Sequence, residues 1–415
     1  MASAVEPDAL AVLLGPAPQR GRRDWLREGL RDAVRSGRLP PGARLPGGRV
    51  LAVSVGVSRG LVTEVVDQLV AEGYLTVRPR SGAHVRAAGD ASESTPAALH
   101  EEPAAPPVAP ARSPGTPDLR LFPVAAWGRA ARQALTRLDV RQLGYPDPRG
   151  HAALREVLAG YLTRTRGAVV DPDHVLVVAG AAQAFAVLAL ATRPAGRAPR
   201  WALESPGSEG ATAQLRSHGV DVVGVPVDRD GMQVGSLPGG LDAVLVTPAH
   251  QYPTGVLLAP ARRHDLLGRA VTGGFVVVED DYDADLRYDG VPVACLQGHA
   301  PDRVALVGSV SKSLAPGLRL GWCVVPDRLV DAVAAVKRDL DLGCPVLDQL
   351  TLARFVDTGG YDRHLRRVRA VYRRRRESVL AALAEQGWRE RDGAIAAGLH
   401  LYVERAGEAR VVGFA

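Results

Sequence analysis

Apolar positions change rhythm twice along the chain, which divides it into three regimes. In the first, residues 24–36 place Leu26, Leu30, Ala33 and Val34 at i, i+4, i+7 and i+8, which predicts an amphipathic helix. Gly37 ends it, and Leu39-Pro40-Pro41-Gly42 is a turn. A short helix is expected around 49–53, with a break at Gly56. Ser58 then stands at an N-cap position ahead of Val62, Val65, Val66, Leu69 and Val70 at helical spacing. Residues 73–77 and 83–85 read as short strands joined through Arg78-Pro79-Arg80-Ser81-Gly82. Two short helices, a turn with glycine and a third helix make a helix-turn-helix, and the basic hairpin behind it makes a wing.

In the second regime, residues 87–118, the periodicity vanishes. Pro96, Pro103, Pro106, Pro107, Pro110, Pro114 and Pro117 lie among Ala, Ser and Glu. That composition predicts a disordered or polyproline-like linker with long reach. From Leu119 the third regime alternates helix and strand. Apolar runs at 174–178, 201–203, 241–246, 275–279 and 304–307 are expected to be buried strands. Alternation of this kind predicts an α/β domain with a mostly parallel central sheet and ligands at the carboxyl ends of its strands. The strand at 174–178 turns through Ala179-Gly180-Ala181-Ala182-Gln183 into a helix, where free N–H groups and the helix dipole would hold an anion. The expected organisation is therefore a DNA-binding domain over 20–86, a linker over 87–118 and a ligand domain over 119–415.

Composition narrows the classes. A chain of 415 residues has room for two or more domains. No apolar run approaches the ~20 residues of a membrane span. Residues 1–18 lack the basic start and apolar core of a secretory signal. Cys295, Cys323 and Cys344 show neither metal spacing nor a disulfide framework, which fits a reducing cytoplasm and predicts no metal site. Charge matters more. Thirteen arginines face six acidic residues between Arg20 and Arg86, so the excess of +6 for the whole chain sits in its first fifth. That is the footprint of a polyanion partner. The polar start of the third helix offers Arg59, Gly60, Thr63 and Glu64 to a major groove, with Ser58 as its cap and Arg80 in the wing.

The chemistry centres on Gly308-Ser309-Val310-Ser311-Lys312-Ser313, with Ala315-Pro316-Gly317-Leu318-Arg319 following. Only two of the 51 basic residues are lysines, Lys312 and Lys337. An amine can lose its proton and condense with an aldehyde to a Schiff base, which a guanidinium cannot do. Small hydroxyl residues and Arg319 would suit a phosphate nearby. A phosphorylated aldehyde held by a lysine points to pyridoxal 5'-phosphate (PLP). Asp280 and Tyr282, two apart at a strand end, supply what that cofactor needs: a carboxylate for its ring nitrogen and a donor for its phenolic oxygen.

The front stretch resembles the winged helix-turn-helix of the GntR family. The likeness is carried by Ser36-Gly37-Arg38-Leu39-Pro40-Pro41-Gly42-Ala43-Arg44-Leu45-Pro46, by Gly56-Val57-Ser58-Arg59, by Leu69-Val70-Ala71-Glu72-Gly73-Tyr74-Leu75 and by Ser81-Gly82. It implies DNA contacts from Arg44, Arg49, Arg59 and Gly82. Gly47-Gly48 stand where the family usually has serines. The rear stretch resembles fold-type I aminotransferases, and more closely the MocR subfamily, in which that fold follows a GntR-type domain. Here the likeness is carried by Pro148-Arg149-Gly150, Glu204-Ser205-Pro206-Gly207, Thr247-Pro248-Ala249-His250-Gln251-Tyr252-Pro253-Thr254-Gly255, Glu279-Asp280-Asp281-Tyr282-Asp283 and the stretch 309–321. It implies Lys312 as the Schiff-base lysine, Asp280 on the ring nitrogen, Tyr282 on the phenolic oxygen, and Ala181, Ala182, Ser309 and Arg319 around the phosphate. Ser208 departs from the family, which has an aromatic there to stack on the cofactor. The C-terminal subdomain reads as truncated, and no arginine stands out for a substrate carboxylate. Arg363, Arg366 and Arg369 read as one solvated helix face.

Three functions follow from this reading. The first is a homodimeric PLP-dependent transcription regulator that binds operator DNA and senses PLP or an amino compound, for genes of vitamin B6 or amine metabolism. The second is an active aminotransferase with an attached DNA module. In the third, the rear domain is a dimerisation scaffold only.

Overall fold

The computed structural model describes residues 5–78, 81–86, 114–290 and 293–415. The chain divides into two compact units, Met1–Ala109 and Pro110–Ala415.

The front unit begins with a helix the apolar pattern did not announce, α1 (Pro7–Leu14), which buries Leu10. The amphipathic helix follows as α2 (Arg22–Arg35), with Leu26, Leu30 and Ala33 inward. Then come α3 (Gly48–Ser54), α4 (Arg59–Ala71), β1 (Leu75–Arg78) and β2 (Gly82–Val85). Ser58 caps α4, its Oγ accepting from the Leu61 N–H at 3.3 Å, so one of the orphan donors at the helix start is satisfied. β1 and β2 pair antiparallel from Leu75↔Val85 to Arg78↔Gly82. Leu10, Leu26, Leu51, Val65, Leu69, Leu75 and Val85 share one core, which makes the three-helix element and its wing a single packed body. Arg80 lies outside the described residues.

In the rear unit the chain runs through α5 (Val124–Thr136), α6 (Ala152–Arg166), β3 (Val175–Val178), α7 (Ala181–Ala191), β4 (Arg200–Ser205), α8 (Glu209–Ser217), β5 (Asp221–Asp228), β6 (Gly231–Met232) and β7 (Ala243–Val246). It continues through α9 (Pro260–Gly273), β8 (Val276–Asp280), β9 (Val304–Ser309), β10 (Gly321–Val324), α10 (Val330–Asp341), α11 (Val346–Asp357) and α12 (Gly360–Glu385). β11 (Arg389–Glu390), β12 (His400–Arg405) and β13 (Glu408–Gly413) form a separate antiparallel sheet.

The central sheet has the order β3-β10-β9-β8-β7-β4-β5-β6. β5, β4, β7, β8 and β9 are parallel neighbours, while β10 runs antiparallel to both β3 and β9, and β6 antiparallel to β5. The sheet is thus mostly parallel, as the alternation predicts. The pattern misses β5, β6 and β10 of this sheet, and β10 matters most for the site. It brings Gly321 so close to the turn after β3 that a Cβ there would stand 3.0 Å from the Gly180 Cα. β3, β7, β8 and β9 are buried on both faces, which is why they read as unbroken apolar runs.

The expected linker differs at its end. Residues 87–113 lie outside the described residues, but 114–118 already belong to the rear unit. Asp118 donates its N–H to the Tyr372 hydroxyl at 3.1 Å and pairs through its carboxylate with Arg120 and Arg375. The arginine face on α12 differs as well. Arg363 and Arg366 are exposed, but Arg369 turns in and donates to the Asp285 carbonyl at 2.5 Å. Among the described residues no helix is long and apolar enough to cross a membrane.

Candidate functional sites

The front unit carries a groove of about 430 Å³ between α3, α4 and the hairpin. Arg49, Arg59, Thr63 and Gly82 line it together. Arg44 and Ser58 are exposed beside it rather than in it, and Ser58 spends its hydroxyl on the cap. The arginines of α2 are engaged: Arg23 pairs with Glu64, Arg27 with Asp24 and Glu28, and Arg31 with Glu28 and Glu72. Arg44, Arg49 and Arg59 make no ion pair among the described residues. Among the described residues these three guanidinium groups are uncommitted cations, a kind of group that suits phosphate.

The rear unit carries a larger cavity, about 920 Å³, at the carboxyl ends of β4, β7, β8 and β9. Ala181, Ala182, Asp280, Tyr282, Ser309, Lys312 and Arg319 all line it, so the residues expected around the cofactor meet there. Ala181 and Ala182 open α7, with their N–H groups at the positive end of its dipole. Gly180, at φ +90°, is what lets Arg319 approach: a Cβ would sit 2.9 Å from the guanidinium, which donates to the Ala179 carbonyl. Arg319 is itself in the left-handed region at φ 50°.

Lys312 is half-buried, and its amine donates to the Gly115 carbonyl at 2.8 Å. Burial lowers its pKa, against the opposing charges of Asp283 and Asp280. An amine moved this way spends more time unprotonated and nucleophilic. Asp280 is the reciprocal case. One of its carboxyl oxygens is buried without any hydrogen-bond partner. Burial, then the charges of Asp281 and Asp283, push its carboxyl up to about 8. Asp281, the other half of the aspartate pair, points elsewhere and holds Arg166 in a buried two-pronged ion pair at 2.8 Å. Glu204 is also buried and pushed up to about 7, although Thr247 and Gln251 donate to it.

Residues 24–85 match the family of bacterial regulatory proteins, gntR family, and residues 115–401 match aminotransferase class I and II. The pyridoxine biosynthesis transcriptional regulator PdxR of Corynebacterium glutamicum is 32% identical over 91% of this chain and 82% of its own. The regulator TauR of Rhodobacter capsulatus is 35% identical over the same shares. The probable rhizopine catabolism regulatory protein MocR of Rhizobium meliloti is 34% identical over 86% of this chain and 76% of its own. The chain belongs to the MocR subfamily of GntR-family transcription regulators.

Solved structures similar to the rear unit of this MocR-type regulator are aminotransferases. The multiple substrate aminotransferase of Thermococcus profundus aligns with a TM-score of 0.64 at 26% identity, over 71% of this chain and 75% of its own. LysN of Thermus thermophilus, solved with N-(5'-phosphopyridoxyl)-L-leucine, aligns at 0.63 and 27%, over 71% and 76%. The full-length relatives are regulators, and they lend no weight to the working-aminotransferase reading over the regulatory one.

The residues present fit a phosphorylated pyridine aldehyde. The orphaned Asp280 oxygen asks for a buried donor, and a ring N–H is one. Ser208, in the place of a stacking aromatic, caps α8 through the Ala211 N–H instead. Tyr252 and His400 line the same cavity as an edge-on ring pair, 5.0 Å between centroids.

Sequence reasoning gave no role to His250, Asp283 or His400. They come from three separate segments and meet as buried neighbours, with ligating atoms within 4.8 Å of one another. The run containing His250 and Tyr252 was the available signal. Lys337, the second lysine, is wholly buried and pairs with Asp341 at 2.7 Å, one turn along α10.

Proposed function

We propose that this MocR-type regulator binds PLP at Lys312 and that occupancy of this site changes its grip on operator DNA. The observation that carries the reading is the pairing of one half-buried amine of lowered pKa with one buried carboxyl oxygen that has no partner, in a single cavity. PLP supplies an electrophilic aldehyde and an electron-withdrawing ring. Asp280 would face the ring nitrogen and Tyr282 the phenolic oxygen. Ala181 and Ala182, with Ser309 and Arg319, would hold the phosphate. Lys312 must release the Gly115 carbonyl to engage an aldehyde, because its hydrogen bond to that oxygen uses the same amine. An amino compound acting as effector would reach the same lysine.

On the DNA side, Arg49, Arg59, Thr63 and Gly82 would face the duplex from the groove, with Arg44 on the flanking backbone and Arg80 in the wing. The third helix starts there, and the first residues of such a helix reach base edges. A homodimer would present two such helices to two half-sites. Relatives named for pyridoxine biosynthesis and for rhizopine catabolism support target genes in vitamin B6 or amine metabolism.

Purified protein mixed with PLP is expected to turn yellow, with a visible absorption band that Lys312→Ala removes while leaving the fold, read by far-ultraviolet circular dichroism, unchanged. A colourless mixture, or an equal band in Lys312→Ala, would remove Lys312 from the centre of this reading.

A further inference from the structure

We infer that His250 and Asp283 are positioning residues that decide how firmly Tyr282 keeps its phenolic proton, and so tune the bond between Lys312 and the cofactor. The inference rests on the PLP reading above. His250 Nδ1 lies 2.8 Å from Asp283 Oδ2, and the Tyr282 hydroxyl lies 3.0 Å from that same nitrogen. His250 and Asp283 are both buried. The proton positions follow from chemistry. An ionised carboxylate only accepts, so a ring nitrogen at 2.8 Å must carry the hydrogen. A protonated Nδ1 has no lone pair left for Tyr282. The Tyr282 oxygen then accepts a share of that same hydrogen, which leaves the phenolic proton free for another partner.

The arrangement is locked from three sides. The His250 ring lies nearly parallel to Tyr282, 6.0 Å between centroids, and 5.0 Å from His400 on its other neighbour. Gly398, at φ +69°, packs so closely that a Cβ would collide with both the Asp283 carboxylate and the His250 ring. His400 donates Nε2–H to the Pro253 carbonyl, and burial holds its pKa down to about 4, so it adds no charge at neutral pH. The other titratable groups that act on Asp283 or Tyr282 are Asp280, Asp281, which Arg166 holds, Lys312, Glu204 and Tyr288, whose hydroxyl is spent on the Gly398 carbonyl. Asp283 opposes the lowering of the Lys312 pKa more strongly than Asp280 does.

The consequence has a sign. Asp283 and the Tyr282 oxygen compete for one His250 hydrogen, and the share that reaches Tyr282 makes its own proton easier to give. Donation of that proton to the cofactor's phenolic oxygen favours the more negative, deprotonated form of the lysine-linked cofactor and lowers the pH midpoint of its colour change. Neutralising Asp283 leaves more of the His250 hydrogen to Tyr282 and removes a nearby anion, so both effects lower the midpoint. Removing the His250 N–H takes that support from Tyr282 and leaves the Asp283 charge unshared, which raises it. A role confined to packing would not move the two variants in opposite directions.

The test is a pH titration of the visible band in PLP-loaded protein. Asp283→Asn is expected to lower the midpoint by about one unit and His250→Phe to raise it by about one, the size of shift a charge within ~4–6 Å produces. His250→Asn, which keeps an amide donor, is expected to stay within a few tenths of the parent. Midpoints that move together, or not at all, overturn the inference. An absent band in the parent protein would count against the cofactor reading instead. The triad is then read without cofactor, by proton–nitrogen resonance of His250. A protected Nδ1–H signal that Asp283→Asn abolishes supports it, and an Nε2–H tautomer in the parent protein overturns it.

Discussion

At the scale of single residues, burial in the rear site works against the charged forms of Asp280, Glu204 and Lys312. Asp280 shows this most clearly, and it yields a stability prediction. Its carboxyl is pushed up to about 8 in the fold, against ~3.9 in an unfolded chain. Below the unfolded value both states are protonated and the fold keeps its full stability. As pH rises toward 8 the unfolded chain ionises first, so stability is lost across that window. Asparagine has no proton to lose. Asp280→Asn should therefore raise the melting temperature of the empty protein, by little near pH 4 and by the equivalent of about 1–3 kcal/mol near pH 8. Melting scans at the two pH values check it, and an equal offset at both would contradict it. The same substitution should weaken PLP binding, since the amide cannot offset a protonated ring nitrogen.

Residue chemistry was legible in the sequence where one residue type had to do one job. Lys312 stood out because guanidinium cannot replace an amine, and Asp280 and Tyr282 because they stand at and just beyond the end of a strand. His250, Asp283 and His400 were not legible. Each belongs to a different segment, and only the packing around Gly398 brings them together. Lys337 gave no signal either, because its burial depends on pairing with Asp341 and on the fold around α10.

At the scale of elements, both sites are helix starts placed by a neighbouring strand or turn. α4 begins at a serine cap, and α7 begins at a glycine whose missing Cβ admits Arg319. Ser58→Ala removes the only side-chain cap of α4 and is expected to cost about 1 kcal/mol of front-unit stability. Chemical denaturation of the protein, followed by a front-unit probe at Trp25, would check it. A loss confined to DNA affinity, with stability unchanged, would instead make the hydroxyl a direct phosphate ligand. The helices and strands that read clearly were those with strong local periodicity or full burial. β10 did not, although it is as buried as β3, because its antiparallel place between β3 and β9 is a matter of topology. The expected linker boundary at 118 missed by a few residues for a similar reason. Pro114 and Pro117 look like linker composition, but Asp118 is anchored by Tyr372 and Arg375, more than 250 positions away in sequence.

At the scale of the whole molecule, a ligand in the rear unit can alter DNA binding only by preferring one arrangement of the protein over another. Lys312 is suited to report occupancy because its amine holds the Gly115 carbonyl, at the start of the described part of the rear unit. On the proposed reading, occupying the amine would release that carbonyl. The coupling is reciprocal, so DNA should change PLP affinity by the same factor that PLP changes DNA affinity. The most direct measurement is the dissociation constant for a fluorescent duplex from upstream of the protein's own gene, at fixed salt, with and without PLP. It should be made in parallel on the parent protein and on Lys312→Ala. A change of about fivefold or more is expected in the parent and none in Lys312→Ala. Equal affinities in all four mixtures, or the same response in both proteins, would contradict a regulator that senses through this lysine.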